Sequence, residues 1–374
     1  MKKICKLLSI LLLISLLCLG GCSKRDTQPA APTEAPVTVQ EPVTVPETEV
    51  PVAPTAEPTE APVVVETTPM PISGLINPLT GEAVSEDISA ARPFAVQMNN
   101  HQDALPQCGI SAASIIYEMP EEGITRMTAI YPQTPACEHF GSVRSARPYH
   151  SEVAKSYDAI FVHWGSSTLG AQSVYQLHKD DDVDFCGNAA AYSYRDPSRA
   201  NRATEHTGFV TVERLKQFLS DDDRRLTHEG EKDYGLRFSD SVELNGGSAE
   251  KLSVYFASKK SDFAYDAAKG SYTMSQYNGI PYVDGDTNLP VEFKNVLILR
   301  TYIADETSLA SISLHNTKGN GILCCNGKQE AITWEHGEYD DCFHYYRSNG
   351  SELVLGVGRS YICIIAYDDS VVVE

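Results

Sequence analysis

Gly321-Ile322-Leu323-Cys324-Cys325-Asn326-Gly327-Lys328-Gln329-Glu330-Ala331-Ile332-Thr333 is the stretch on which the reading of the fold turns. Two runs, 321–326 and 329–333, meet at an Asn-Gly pair. Both residues tolerate the positive φ that a tight two-residue turn needs, so the stretch predicts an antiparallel hairpin. The same texture extends outward. Segments 251–257, 263–266, 271–276, 295–303, 344–347 and 360–367 alternate or run apolar, with turns at 267–270, 277–279 and Asn349-Gly350. From about Tyr234 onward the chain therefore predicts mostly antiparallel β.

Upstream the texture changes. Residues 94–98, 114–118, 125–131 and 159–163 predict strands, being rich in β-branched or aromatic residues and bounded by Pro, Gly or Asn. Residues 167–179 and 212–220 carry apolar side chains at helical spacing, and Thr211 is placed to cap the second helix. The acidic and basic run 221–225 marks a boundary. The expectation is an α+β protein: a mixed α/β N-terminal domain over 74–225, then a smaller, mostly antiparallel β domain over 234–374.

The first residues read as an address. Lys2, Lys3 and Lys6 precede an apolar run over 7–19, too short for the roughly 20 residues of a membrane span. It predicts a signal peptide over 1–21. Leu19-Gly20-Gly21-Cys22 then offers small residues before a thiol that a lipid transferase could alkylate. Cys22 is thus the expected lipidation site, anchoring the protein on the outer face of the cytoplasmic membrane. Residues 27–72 contain no Lys or Arg, about one proline in four, and the hexapeptide Pro-Thr-Glu-Ala-Pro-Val twice. Such a segment cannot bury enough surface to offset its ordering entropy, so 22–73 predicts a disordered tether. Extended at about 3.1 Å per residue, it reaches on the order of 100 Å.

The formal net charge is −20. That repels nucleic acid and anionic lipid headgroups, which argues against a nucleic-acid partner or a peripheral membrane domain. Seven cysteines follow Cys22, and their spacing matches neither a disulfide framework nor a zinc motif. Buried free thiols, with no metal and no cofactor, are the expectation. The chain also lacks a G-x-S-x-G elbow, an H-E-x-x-H pair and a phosphate-cradling glycine loop.

Polar residues nevertheless gather at the ends of predicted strands. Glu118, Glu121, Glu122 and Arg126 flank one turn; Arg144 and Arg147 stand three apart just before Pro148; His163 closes a strand; Arg195, Asp196 and His206 follow on a loop. Arginine binds carboxylate or phosphate through two parallel hydrogen bonds, so a converging set would recognise an anion. The competing reading pairs each arginine with a carboxylate such as Glu118 or Asp158 to brace the fold.

Asn77-Pro78-Leu79-Thr80-Gly81, Asn99-Asn100-His101, Gly123-Ile124-Thr125-Arg126, Val143 through Tyr149, Tyr157 through His163 and Arg195-Asp196 together resemble the YerB-like lipoproteins. The resemblance covers about 300 residues and is most specific at Val-Arg-Ser-Ala-Arg-Pro. It implies a membrane-tethered protein with an N-terminal α/β part and a smaller C-terminal β part, and it implies no reaction. Ser142, Trp164 and Thr207-Gly208-Phe209 depart from the family pattern.

Two functions follow as expectations. In the first, Arg126, Arg144, Arg147, His163, Arg195 and Asp196 bind an anionic cell-envelope ligand or an acidic partner protein. In the second, an envelope hydrolase uses Glu118 or Glu122 as base and His163 or His206 as acid. Binding is the preferred reading. Within it, Arg147 is expected to face a cleft while Arg144 braces the fold.

Overall fold

The computed structural model describes residues 74–304, 311–312 and 314–374. The signal peptide, Cys22 and the tether lie outside the described residues. Everything described belongs to one compact unit.

Its centre is a ten-stranded sheet. In chain order the strands are β1 (Phe94–Asn99), β2 (Ile115–Glu121), β3 (Ile124–Tyr131), β4 (Ile160–His163), β5 (Asp182–Asp184), β6 (Asn295–Thr301), β7 (Thr317–Cys325), β8 (Lys328–His336), β9 (Phe343–Arg347) and β10 (Ser360–Ala366). Across the sheet they run β9-β8-β7-β6-β10-β2-β3-β1-β4-β5. Strands from both halves of the sequence thus share one sheet. The join is the parallel pairing of β2 with β10, Ile115 opposite Ser360 through Glu118 opposite Cys363.

Both faces of this sheet are covered, and its strands read accordingly. β1, β2 and β10 are buried at every position, the apolar-run pattern of a sheet with no wet face. On one face Ala95, Tyr117 and Phe161 pack with Tyr149, Val153 and Val174 of two helices, α1 (Pro148–Ser156) and α2 (Thr168–His178). On the other, Val96, Ile116 and Met127 pack with Leu215 and Phe218 of α3 (Val212–Asp221). They also meet Leu252, Phe263 and Met274 from a smaller antiparallel sheet. That sheet is built on Lys251–Tyr255, Lys260–Asp266 and Ser271–Gln276. The protein is mostly sheet with a minority of helix, a mixed α/β-type architecture.

Local signals behave as their chemistry requires. Asn326 and Gly327 take φ of 52° and 71°, closing β7 onto β8 with Cys325 opposite Lys328. Thr211 caps α3, its hydroxyl accepting from Arg214 N at 3.1 Å. Helix α1 is one of the elements that sequence reading did not place. Pro148 occupies the first turn, where its missing N–H costs nothing and its fixed φ favours the helix.

Candidate functional site

β1, β2, β4 and β5 point the same way, so their carboxyl ends share one edge of the sheet. Ligands in α/β sheets commonly sit beyond such ends. Residues 142–146 are laid along this edge as an extended piece. Asn99 N donates to Ser142 O (2.9 Å), Arg144 N to Gln97 O (2.8 Å), and Trp164 N to Arg144 O (2.9 Å). An extended backbone sends residues three apart in different directions. Arg144 and Arg147 accordingly diverge.

Arg147 turns inward with Arg126, and both meet Glu121. Arg126 is 1% exposed. Its Nη1 lies 3.2 Å from Glu121 Oε1 and donates to Ser145 O at 2.8 Å. Arg147 Nε lies 2.6 Å from the same Oε1, and its Nη2 donates to Glu122 Oε1 at 2.8 Å. Glu122 and Gly123, at φ 46° and 80°, form the tight turn from β2 into β3 that returns the Glu122 carboxylate to Arg147. Tyr149 OH donates to Glu121 Oε2. Burial lowers Arg126 to about 10, against the raising effect of Glu121. Beside this cluster His150 is wholly buried, and desolvation with the charges of Arg126 and Arg147 holds it well below its ordinary value. Arg147, expected to face a cleft, is instead braced, because the chain around the Glu122-Gly123 turn supplies it with two carboxylates.

Arg144 is the arginine left over. It is half-buried, and its one side-chain hydrogen bond among the described residues is long, 3.5 Å from Nη1 to the Glu205 carbonyl. No carboxylate of the described residues lies within 4.0 Å of it. Burial lowers its pKa, with Glu205 acting the other way. The same Glu205 carbonyl accepts from Asn99 Nδ2 at 3.2 Å, and that amide reaches His206 Nδ1 at 2.9 Å. Asn99 Oδ1 accepts from His101 N at 3.1 Å, which fixes the amide's orientation. His206 Nδ1 must then accept, leaving the neutral ring's proton on Nε2. His101 Nδ1 also accepts, from Asp103 N at 3.1 Å, and its ring stacks on His206 at 4.9 Å. Burial first, then the charge of His101, lowers the pKa of His206. His101, Asp103 and His206 approach within 4.8 Å, but a ring protonated on Nε2 has no lone pair there for a metal. Arg144 and the two imidazole N–H groups are hydrogen-bond donors, with the Asp103 carboxylate the acceptor beside the imidazoles.

The other expected residues do not join this set. His163 is buried at the end of β4, its Nδ1 against Gly165 O at 2.8 Å, with Asp184 and Asp182 at 3.8 and 3.9 Å. Asp196 caps a short helical turn, accepting from Ser198 N at 2.9 Å. Arg195 lies over the Trp164 ring at 4.1 Å and donates to Thr204 O at 2.6 Å. A Cβ on Gly208 would stand 2.5 Å from that Trp164 ring, so two departures from the family pattern fit one another. Glu118 is fully buried against Lys259 Nζ at 2.6 Å and accepts from Thr125, Asn100, Tyr361 and Ser261. Glu118, Glu122, His163 and His206 make no hydrogen bonds to one another. Asn99, His101 and Glu205 were not singled out as site residues from the sequence. The signal that could have found two of them was the Asn99-Asn100-His101 motif directly after a strand.

A mixed sheet with two helices on one face and a third helix and a smaller sheet on the other, assembled from both halves of the chain, defines a two-part α/β-type protein. The chain belongs to the YerB-like family. Residues 79–225 match the protein of unknown function (DUF3048) N-terminal domain and residues 252–362 its C-terminal domain. The chain is 30% identical over 274 residues to YerB of Bacillus subtilis (strain 168), a protein whose given name includes the word lipoprotein. That match covers 69% of this chain and 77% of the relative. The crystal structure of the Bacillus subtilis YerB protein is similar, with a TM-score of 0.68 and 26% identity, over 80% of this chain and all of that one.

Proposed function

We propose that this protein is a lipid-anchored, extracytoplasmic binding protein whose Arg144 receives an anionic group of a cell-envelope ligand or partner protein. One observation carries the binding half: Arg144 stands half-buried without a carboxylate, while Arg126 and Arg147 beside it are neutralised by Glu121 and Glu122. A cation partly removed from water gains most from an anion that completes its hydrogen bonds. His101 and His206 add N–H donors, and the net negative charge elsewhere discourages polyanions such as nucleic acid. The anchoring half rests on Leu19-Gly20-Gly21-Cys22 and on the lipoprotein designation of the relative.

Two measurements test the two halves. Cys22→Ala should leave an unprocessed precursor and remove the mature protein from detergent extracts of membranes; normal processing and retention refutes the anchor. Native mass spectrometry of the extracted protein should show a bound anionic species that Arg144→Met loses. A species retained by Arg144→Met refutes the site.

A further inference from the structure

A second constellation lies apart from the Arg144 set and shares no side chain with it. Cys108 precedes a short helical turn and exchanges backbone hydrogen bonds with Gly141, at 2.6 and 3.2 Å. His139 begins the strand His139–Gly141. Asp286 sits on the tip of a hairpin in the C-terminal half, pinned to the first half by Gly285 N donating to Gln107 O at 2.7 Å. One potential ligand atom from each of Cys108, His139 and Asp286 lies within 4.8 Å of the other two. His139 Nε2 is 2.9 Å from Asp286 Oδ1.

We propose that Cys108 Sγ, His139 Nε2 and an Asp286 carboxylate oxygen form a site for a thiophilic divalent cation, Zn²⁺ foremost, bridging the two halves of the chain. A thiolate, an imidazole and a carboxylate are the ligand types of four-coordinate zinc, and three protein ligands leave the fourth position to water. Zinc bonds of about 2.0–2.3 Å place tetrahedral ligands roughly 3.5 Å apart. His139 Nε2 and Asp286 Oδ1, at 2.9 Å, therefore part slightly to admit the ion, which the position of Asp286 on a partly exposed hairpin tip permits. Binding replaces the His139–Asp286 contact and releases the Cys108 proton. One thiolate and one carboxylate then balance the charge of the ion.

Two independent features fit this reading. The first is steric. A Cβ on Gly285 would stand 2.8 Å from Cys108 Sγ, and one on Gly109 would stand 2.2 Å from His139 O. Both segments approach closely because neither glycine has a side chain. The second is the outer shell. Arg199 Nη2 points at Cys108 Sγ from 3.5 Å, its guanidinium held by Ala104 O at 2.7 Å and lying over Phe209 at 4.8 Å. A fixed N–H donor against sulfur stabilises a ligating thiolate, as outer-shell partners do in metal sites. Asp284 is not a ligand: its carboxylate already accepts from Ser111 N, Ser111 Oγ and Asp286 N.

Cobalt substitution tests the site on the wild-type protein. Untagged full chain, stripped with a chelator, is titrated with Co²⁺. The proposal predicts one equivalent bound, with visible bands of tetrahedral cobalt and a near-ultraviolet thiolate charge-transfer band, both erased by added Zn²⁺. Cys108→Ser should abolish the charge-transfer band, and Cys342→Ser, whose thiol faces His344 at 3.5 Å, should retain it. His139→Gln and Asp286→Asn should weaken binding at least tenfold. Wild-type protein that shows no charge-transfer band, or a band unchanged in Cys108→Ser, overturns the proposal.

Discussion

Arg147 Nε lies 2.6 Å from Oε1 of Glu121, a carboxylate with no exposed surface. Removing the cation leaves that charge buried beside Arg126 alone, and such a loss typically costs about 3–5 kcal/mol. Arg147→Met is expected to lower the urea midpoint by a corresponding amount. Arg144→Met, which strands no carboxylate, should fall within about 0.5 kcal/mol of the parent. Equal losses from the two variants would remove the distinction on which the site rests.

Lys259 and Glu118 make the same point across the two halves of the chain. Lys259 Nζ lies 2.6 Å from Glu118 Oε1, and both side chains are almost wholly buried. Burial lowers the Lys259 pKa, partly offset by Glu118. Lys259→Met should cost about 3–5 kcal/mol in urea unfolding. Adding Glu118→Gln removes the stranded charge, so the double variant should recover part of that loss rather than add to it. Additive losses would mean that the pair is not coupled.

Buried histidines make the protein acid-sensitive. Desolvation pulls His178 down to about 4, although its Nε2 donates to Ser151 O at 2.8 Å. Protonation would place a second N–H, on Nδ1, where no partner of the described residues accepts it. The folded value lies below the unfolded one, so the unfolded chain takes up the proton first. The contribution is complete above about pH 6.5 and is lost as pH falls towards 4, about 3 kcal/mol in all. His178→Gln should flatten the stability–pH curve between those values, read by denaturant midpoints at each pH. An unchanged slope would place the sensitivity elsewhere.

Sequence patterning located most strands because each is a β-branched run closed by a turn residue, as β3 and the Asn326-Gly327 hairpin show. It could not show that β2 pairs with β10, since a contact between Ile115 and Ser360 leaves no local trace. Helix α1 was missed because Pro148 serves equally as a stop and as a start. Glu118, Glu121 and Arg126 were legible because they flank the turn between two predicted strands, and Arg144 and Arg147 because they stand three apart just before Pro148. Their pairing was not. Which arginine meets Glu121 depends on the left-handed turn at Glu122-Gly123 and on the extended path of residues 142–146, neither of which side-chain type alone specifies.

Calorimetric titration of the membrane-extracted protein with phosphate and with sulfate tests the central claim most directly. One saturable site per chain is expected for at least one of these anions, lost in Arg144→Met and kept in Arg195→Met, whose guanidinium is already committed to Trp164 and Thr204. Binding in Arg144→Met that equals the parent's, or no saturable binding in the parent, would contradict it.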